Sequence, residues 1–245
     1  MKKRVLSVIA AVLLLTVVLA GCNNAGTKYL GVISDNSKQW LLSSTEDIST
    51  FAYAVTDLDQ NGRPEIIASR NSGFNDTTVT DYYEVSEDGK SLLKCEHIVE
   101  GDSEADIAFE TDYCYFDKNT DRYYYVFTNH EVISIRETYN HKVAVSLYGG
   151  KVYETVIATE STIYEGESEV PTITYTDANG NTITEQEFKK IGDTHFADCK
   201  KKSVTFGFKG YGDSKNEELH SKSSESIYTI LIDSFKKFSI ENYKG

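Results

Sequence analysis

The chain has 245 residues and a formal net charge of −13 at pH 7, from 38 acidic and 25 basic side chains. An acidic surplus of this size repels phosphate backbones, which excludes nucleic acid as a partner, and its long-range field favours cations and basic partners. Pro64 and Pro171 are the only prolines and no long Gly/Ser-rich stretch interrupts the sequence, which argues against a flexible string of modules and for one large domain.

At the N-terminus, Met1-Lys2-Lys3-Arg4 precedes an apolar run over 5–18 and then Leu19-Ala20-Gly21-Cys22. A basic start, an apolar middle and small residues at the end are the layout of a cleavable export segment. The run is a little shorter than the roughly 20 residues a spanning helix needs, so an uncleaved anchor is the alternative. Leu19-Ala20-Gly21-Cys22 resembles the lipobox of bacterial lipoproteins. The resemblance implies a diacylglyceryl group on the Cys22 sulfur and cleavage after Gly21. It also implies that the protein is lipid-anchored at the extracytoplasmic face of the bacterial cell membrane, where two acyl chains suffice for stable anchoring. On this reading 1–21 is a signal peptide, 22–28 a short tether and 29–245 a single β-rich domain. The tether extends only about 20 Å at roughly 3.3–3.6 Å per residue, which keeps the domain close to the membrane.

Short β-branched or aromatic runs bounded by turn residues predict strands over 51–55, 64–69, 81–85, 91–97, 113–116, 122–127, 143–147, 151–158, 172–175 and 204–208. Asp88-Gly89 and Gly149-Gly150 supply the positive-φ pairs that tight hairpins need. The expected fold class is mainly β (α+β), an antiparallel meander forming either a sandwich or a propeller-like array. The acidic stretch 165–169 is the best candidate for an internal boundary. Thr184 and Glu187 form a capping box, which predicts a short helix near 184–191. Towards the end, Ile227, Ile230, Leu231, Phe235 and Phe238 fall at helical spacing, with Lys236 and Lys237 placed to favour the helix dipole. This predicts a C-terminal amphipathic helix packed on a sheet.

Between the first two predicted strands, Asp57-Leu58-Asp59-Gln60-Asn61-Gly62-Arg63-Pro64-Glu65 places oxygen-bearing side chains at positions one, three, five and nine, with glycine at six. Hard cations such as Ca²⁺ take a shell of oxygens, and alternate side chains turn inward when such a loop wraps an ion. Asp57, Asp59, Asn61 and Glu65 are the expected side-chain ligands, the Arg63 carbonyl the expected backbone ligand, and Gly62 permits the bend. Position twelve is Ala68 and the flanks are apolar strands, so the loop is not an EF-hand. The stretch 51–69 resembles the strand-loop-strand calcium hairpins of FG-GAP and VCBS repeats, which implies a structural Ca²⁺ that steadies a self-repelling loop. A solvated Asp/Asn/Gly turn is the alternative. The partial matches at 117–121 and 177–181 are expected to be ordinary turns without metal.

His97, His130, His141, His195 and His220 show no metal-ligand spacing, and no nucleophile-elbow, dinucleotide-binding or phosphate-binding loop motif occurs. A non-enzymatic role follows; an envelope hydrolase assembled around Asp193, His195 and Cys199 is the alternative. Cys95, Cys114 and Cys199 remain after lipidation, an odd number that excludes a full disulfide framework. Buried free thiols are preferred over a Cys95–Cys114 bridge. Seventeen tyrosines, including Tyr82-Tyr83 and Tyr123-Tyr124-Tyr125, suit a β-rich core, with a stacking surface for sugar or protein as the second reading. Lys200-Lys201-Lys202 is expected in a solvated loop. A two-lobed solute-binding component of a transporter ranks last, since it needs strands alternating with long helices. The expected function is that of a membrane-anchored surface lipoprotein. Its Ca²⁺-stabilised β domain would bind an envelope or extracellular protein or glycan.

Overall fold

The computed structural model describes residues 26–41, 49–71, 78–100, 111–166, 169–209 and 222–243. The export segment, Cys22 and most of the tether lie outside these residues. Among the described residues, no helix is long and apolar enough to cross a membrane.

Strands β1 (Ser49–Thr56), β2 (Glu65–Asn71), β3 (Thr78–Val85) and β4 (Leu92–Lys94) make a four-stranded antiparallel sheet in chain order. The other eight strands are β5 (Glu96–Glu100), β6 (Tyr113–Asp117), β7 (Arg122–Ser134), β8 (Glu137–Tyr148), β9 (Lys151–Ile163), β10 (Thr172–Asp177), β11 (Lys200–Thr205) and β12 (Ser239–Asn242). They form a second sheet in the order β10-β9-β8-β7-β6-β11-β12, with β5 paired to β9. One edge of β9 is shared: β5 runs parallel to its first half and β10 antiparallel to its second. The helices are α1 (Leu30–Asp35), α2 (Ser37–Trp40), α3 (Glu185–Lys189), α4 (Ile191–His195) and α5 (Ser224–Lys237).

Alternation along the strands decides what each sheet faces. In β2, Ile67 enters one core while Ile66 and Ala68 enter another, and Tyr82 and Tyr83 divide in the same way on β3. Ile67 and Tyr82 meet Tyr125, Phe127, Val143 and Val145 of the larger sheet, which makes the inter-sheet core. Behind the smaller sheet, Ile66, Ala68 and Tyr83 pack with Leu30, Ile33, Trp40, Ile227 and Leu231 from α1, α2 and α5. Behind the larger one, Ala144, Ile157 and Ala158 meet Phe188 and Ile191 at the α3–α4 corner. The architecture is therefore a four-layer sandwich, helix-sheet-sheet-helix, and not a propeller. The register between β8 and β9 shifts after Lys142↔Ala158, so Ile157 is a bulge residue and it shares the outer face with Ala158.

The short helix predicted near 184–191 is present as α3, opened by the Thr184 capping box, with α4 after it. Three expectations need correction. The strand predicted over 91–97 is two strands, because the chain leaves the smaller sheet at Lys94 and enters the larger one at Glu96. The candidate boundary at 165–169 lies between β9 and β10, which pair as one hairpin up to Thr172↔Ile163, so it divides no domains. Lys200-Lys201-Lys202 is not a loop but the start of β11, where the Lys201 ammonium stands 4.2 Å from the Tyr113 ring centroid and that of Lys202 stands 5.2 Å from Phe116. Aromatic faces attract these cations while the aliphatic stems cover apolar surface.

The outer edge of β1 is closed by the C-terminal part of the chain. Tyr53 and Lys209 exchange two backbone hydrogen bonds of 2.8 Å. Next to them the buried Ser234 hydroxyl accepts from the Val55 N–H at 3.0 Å and donates to the Gly207 carbonyl at 2.7 Å. A Cβ at Gly207 would overlap the Ser234 carbonyl oxygen, so only glycine admits α5 this close. Covering an edge in this way prevents it from pairing with a second chain. Ser234→Ala is expected to leave the Val55 N–H buried without a partner and to cost about 1–3 kcal/mol, read from urea unfolding. An unchanged midpoint would deny the hydroxyl this role.

Candidate metal centre

The loop 57–64 is the tip of the β1–β2 hairpin, its ends fixed by the pair Thr56↔Glu65. Left-handed backbone at Gly62 (φ 82°) and Gln60 (φ 58°) folds it sharply enough to turn several side chains to one side. One oxygen each from Asp57, Asp59 and Glu65 lies within 4.8 Å of the others. Oxygens that share a Ca²⁺ at about 2.3–2.6 Å stand at most about 5 Å apart, so the three fit a common cation.

Glu65 is the central group. It is fully buried, its Oε2 accepts from the Thr56 hydroxyl at 3.0 Å and from the Leu58 N–H at 2.8 Å, and its Oε1 is buried without a hydrogen-bond partner. An orphaned carboxylate oxygen in a core is costly, and a cation is one of the few groups that relieves it. Leu58 ties the loop to the inter-sheet core, where its side chain is buried and its carbonyl accepts from the Tyr125 hydroxyl at 2.7 Å.

The remaining contacts organise the loop. Asp57 accepts from the Gly62 N–H at 3.1 Å, and Asp59 accepts from the backbone and side-chain amides of Asn61 at 3.2 and 2.8 Å. The Asn61 side-chain oxygen accepts from the Arg63 N–H at 2.7 Å, so in this arrangement it is used inside the loop. The Arg63 guanidinium lies 2.6 Å from Glu84, which also accepts from Asn61 Nδ2 at 2.7 Å. Glu84 stands opposite Glu65 in the β2–β3 register. It belongs to the cluster although the loop sequence gives no sign of it.

Burial pushes Asp57 up to about 7, against the Gly62 hydrogen bond and with help from the charges of Asp59 and Glu84. Burial likewise raises Glu65 well above the usual carboxylate range, and Asp57 and Asp59 add to the effect. Asp59 and Glu84 are also raised, again chiefly by burial. Four carboxylates thus lie together, and the Arg63 guanidinium acts on two of them, Glu84 and Asp59. Chemically the arrangement suits the binding of a hard cation.

The two other Asp-rich stretches are exposed turns, as expected. Asp117 accepts from the Asn119 N–H at 2.9 Å and the Thr120 hydroxyl at 2.8 Å, and Asp177 accepts from the N–H groups of Asn179 and Asn181, both at 2.9 Å. Asp193 is engaged by the Tyr115 hydroxyl at 2.8 Å and Lys201 at 2.6 Å, while His195 packs edge-on against Phe196. Burial, then the charges of Asp117 and Asp198, raises the Cys199 thiol, which opposes thiolate formation. The described hydrogen bonds of Asp193 lead to neither His195 nor Cys199. Cys95 and Cys114 are buried free thiols in the inter-sheet core. Comparison with protein-family models, curated proteins and solved structures gives no match.

Proposed function

We propose that the β1–β2 loop holds one structural Ca²⁺ through Asp57, Asp59 and Glu65, with Asn61 and the Arg63 carbonyl as further ligands. The domain so stabilised is a binding module, not an enzyme. It is tethered by lipid on Cys22 to the extracytoplasmic face of a bacterial membrane, and its partner is a protein or glycan of the envelope or its surroundings. The observation that carries the metal reading is Glu65, a completely buried carboxylate with one unpartnered oxygen beside two further carboxylates. Ca²⁺ is favoured over Mg²⁺ because it tolerates an irregular all-oxygen shell, whereas Mg²⁺ demands near-ideal octahedral geometry and retains several waters. Extracellular Ca²⁺ modules commonly bind in the range of roughly 10⁻⁴–10⁻³ M, which an envelope protein can meet.

Calorimetric titration of the full chain in detergent with Ca²⁺ is expected to show one binding event, abolished in Asp57→Ala/Asp59→Ala. Equal affinity in both proteins would remove the metal from the proposal. For the anchor, metabolic labelling with an alkyne fatty acid is expected to tag the wild-type chain and to spare Cys22→Ser. Equal labelling of the two would remove the lipid.

A further inference from the structure

A cavity of about 360 Å³ opens on the outer face of the larger sheet, on the side opposite the metal loop, between β6, β7, β8, β11 and the α3–α4 corner. Small-molecule sites commonly measure roughly 300–1,000 Å³. Four lysines line it, Lys142, Lys189, Lys190 and Lys201, with two aspartates, Asp112 and Asp193. This reverses the sign of a chain whose net charge is −13.

Two of the four cations are already matched, Lys201 by Asp193 at 2.6 Å and Lys189 by Glu185. Lys142 and Lys190 form no ion pair within 4 Å among the described residues, and Glu160 and Asp193 act on them from farther off. Lys142 is half-buried on β8, its ammonium donates to the Thr128 hydroxyl at 2.9 Å, and the Phe188 ring lies beneath it with a centroid at 5.5 Å. Burial lowers its pKa, so the sheet holds a partly desolvated cation that a bound anion would stabilise. The Tyr115 ring adds an apolar wall, its hydroxyl fixed on Asp193 at 2.8 Å.

We propose that this cavity binds the phosphate monoester group of a small, sugar-sized ligand, with Lys142 and Lys190 taking the charge and Thr128 and Lys201 beside them. No arginine lines the cavity, so an anion would be held by ammonium groups and not by a planar bidentate fork. Ammonium groups act as point charges suited to the dispersed charge of a phosphate. Against the carboxylates of Asp112, Asp193 and Glu185 the four lysines leave a net positive charge, which favours an anion such as a phosphate monoester, carrying about −1.5 to −2 at neutral pH. The proposal does not rest on the calcium reading.

The test is calorimetry on the full chain in detergent with four probes: glucose 6-phosphate, inorganic phosphate, glucuronate and glucose. Glucose 6-phosphate is expected to bind most tightly, inorganic phosphate more weakly, and glucose not detectably. Lys142→Gln and Lys190→Gln should each weaken glucose 6-phosphate binding about tenfold, the loss of one charge-assisted hydrogen bond. Asp57→Ala/Asp59→Ala should leave it unchanged at fixed temperature, which separates this site from the metal. Lys190 is exposed, so its variant tests the site even where the Lys142 variant fails to fold. No heat from either phosphate probe at millimolar concentration would overturn the proposal. So would glucose binding as well as its phosphate, glucuronate binding more tightly than glucose 6-phosphate, or unchanged affinity in Lys190→Gln.

Discussion

In the presence of a chelator the protein is expected to melt at a lower temperature near pH 7 than near pH 5, and millimolar Ca²⁺ should restore the loss. Asp57 has an ordinary pKa of 3.8 and rises to about 7 in the fold. Between those values the folded state holds a proton that the unfolded chain has released, so stability falls as pH rises through the window. At about 1.36 kcal/mol per unit, the interval from pH 5 to 7 contributes roughly 2–3 kcal/mol from this group. That is on the order of 5–10 °C in a domain of this size. Asp59, Glu65 and Glu84 are shifted in the same direction. His195, lowered by partial burial, works the other way, whereas the exposed carboxylates Asp88, Asp117 and Asp177, lowered by local hydrogen bonds, are ionised in both states above about pH 5 and leave this window unchanged. Solvent screens the exposed ones, and the buried cluster dominates. On the proposed reading, bound Ca²⁺ would replace the proton as the compensating charge, and its binding energy would add to folding stability. Scanning calorimetry across pH, with and without Ca²⁺, reads both effects. A melting temperature that rises from about pH 5 to 7 in chelator would show that the cluster does not strain the fold.

Glu65→Ala is expected to be the most destabilising single substitution in the loop. It removes the acceptor from the Thr56 hydroxyl and the Leu58 N–H, both within the core, and leaves a cavity where a fully buried side chain stood. Two stranded donors at about 1–3 kcal/mol each put the loss at roughly 3–5 kcal/mol. Glu65→Gln separates hydrogen bonding from charge. Its amide oxygen keeps both donors, and an NH₂ takes the place of the orphaned oxygen. In chelator this variant should therefore melt at or above the wild type, while losing the Ca²⁺-dependent rise. A full Ca²⁺ response in Glu65→Gln would take Glu65 out of the ligand shell, and a Glu65→Ala variant as stable as wild type would refute its part in holding the hairpin tip.

What could be read from the sequence was local. Asp88-Gly89 and Gly149-Gly150 sit in turns with positive φ at all three glycines, and the Thr184 capping box opens α3. Asp57, Asp59 and Glu65 were visible because one short loop carries all three. What depended on distant chain was hidden. Nothing in Leu92-Leu93-Lys94-Cys95-Glu96-His97 marks the passage between sheets, because β5 is defined by its partner β9. Helices α1 and α2 have no side-chain cap, and their helical state follows from packing Leu30, Ile33 and Trp40 behind the smaller sheet. Three lysines suggested a solvated loop, but β11 runs between β6 and β12 and lays two of them on aromatic rings. Glu84 joins the carboxylate cluster only through strand register. The cavity lysines come from β8, β11 and the α3–α4 corner, and no linear pattern links them.

The single residue Cys95 between β4 and β5 also fixes an order of assembly. Strands β1 to β4 pair with sequence neighbours and can zip as soon as they are made. Strand β5 follows without a loop, yet its partner among the described residues begins at Lys151, after β6, β7 and β8 have been added. Contacts between remote segments close slowly, because loop entropy must be overcome before pairing rewards it. The apolar inner face of the smaller sheet, Ile67 and Tyr82, waits for Tyr125, Phe127, Val143 and Val145 of β7 and β8. Docking of Glu96–Glu100 on β9 is the expected slow step, and a chain cut short before β7 would present the waiting face to its neighbours.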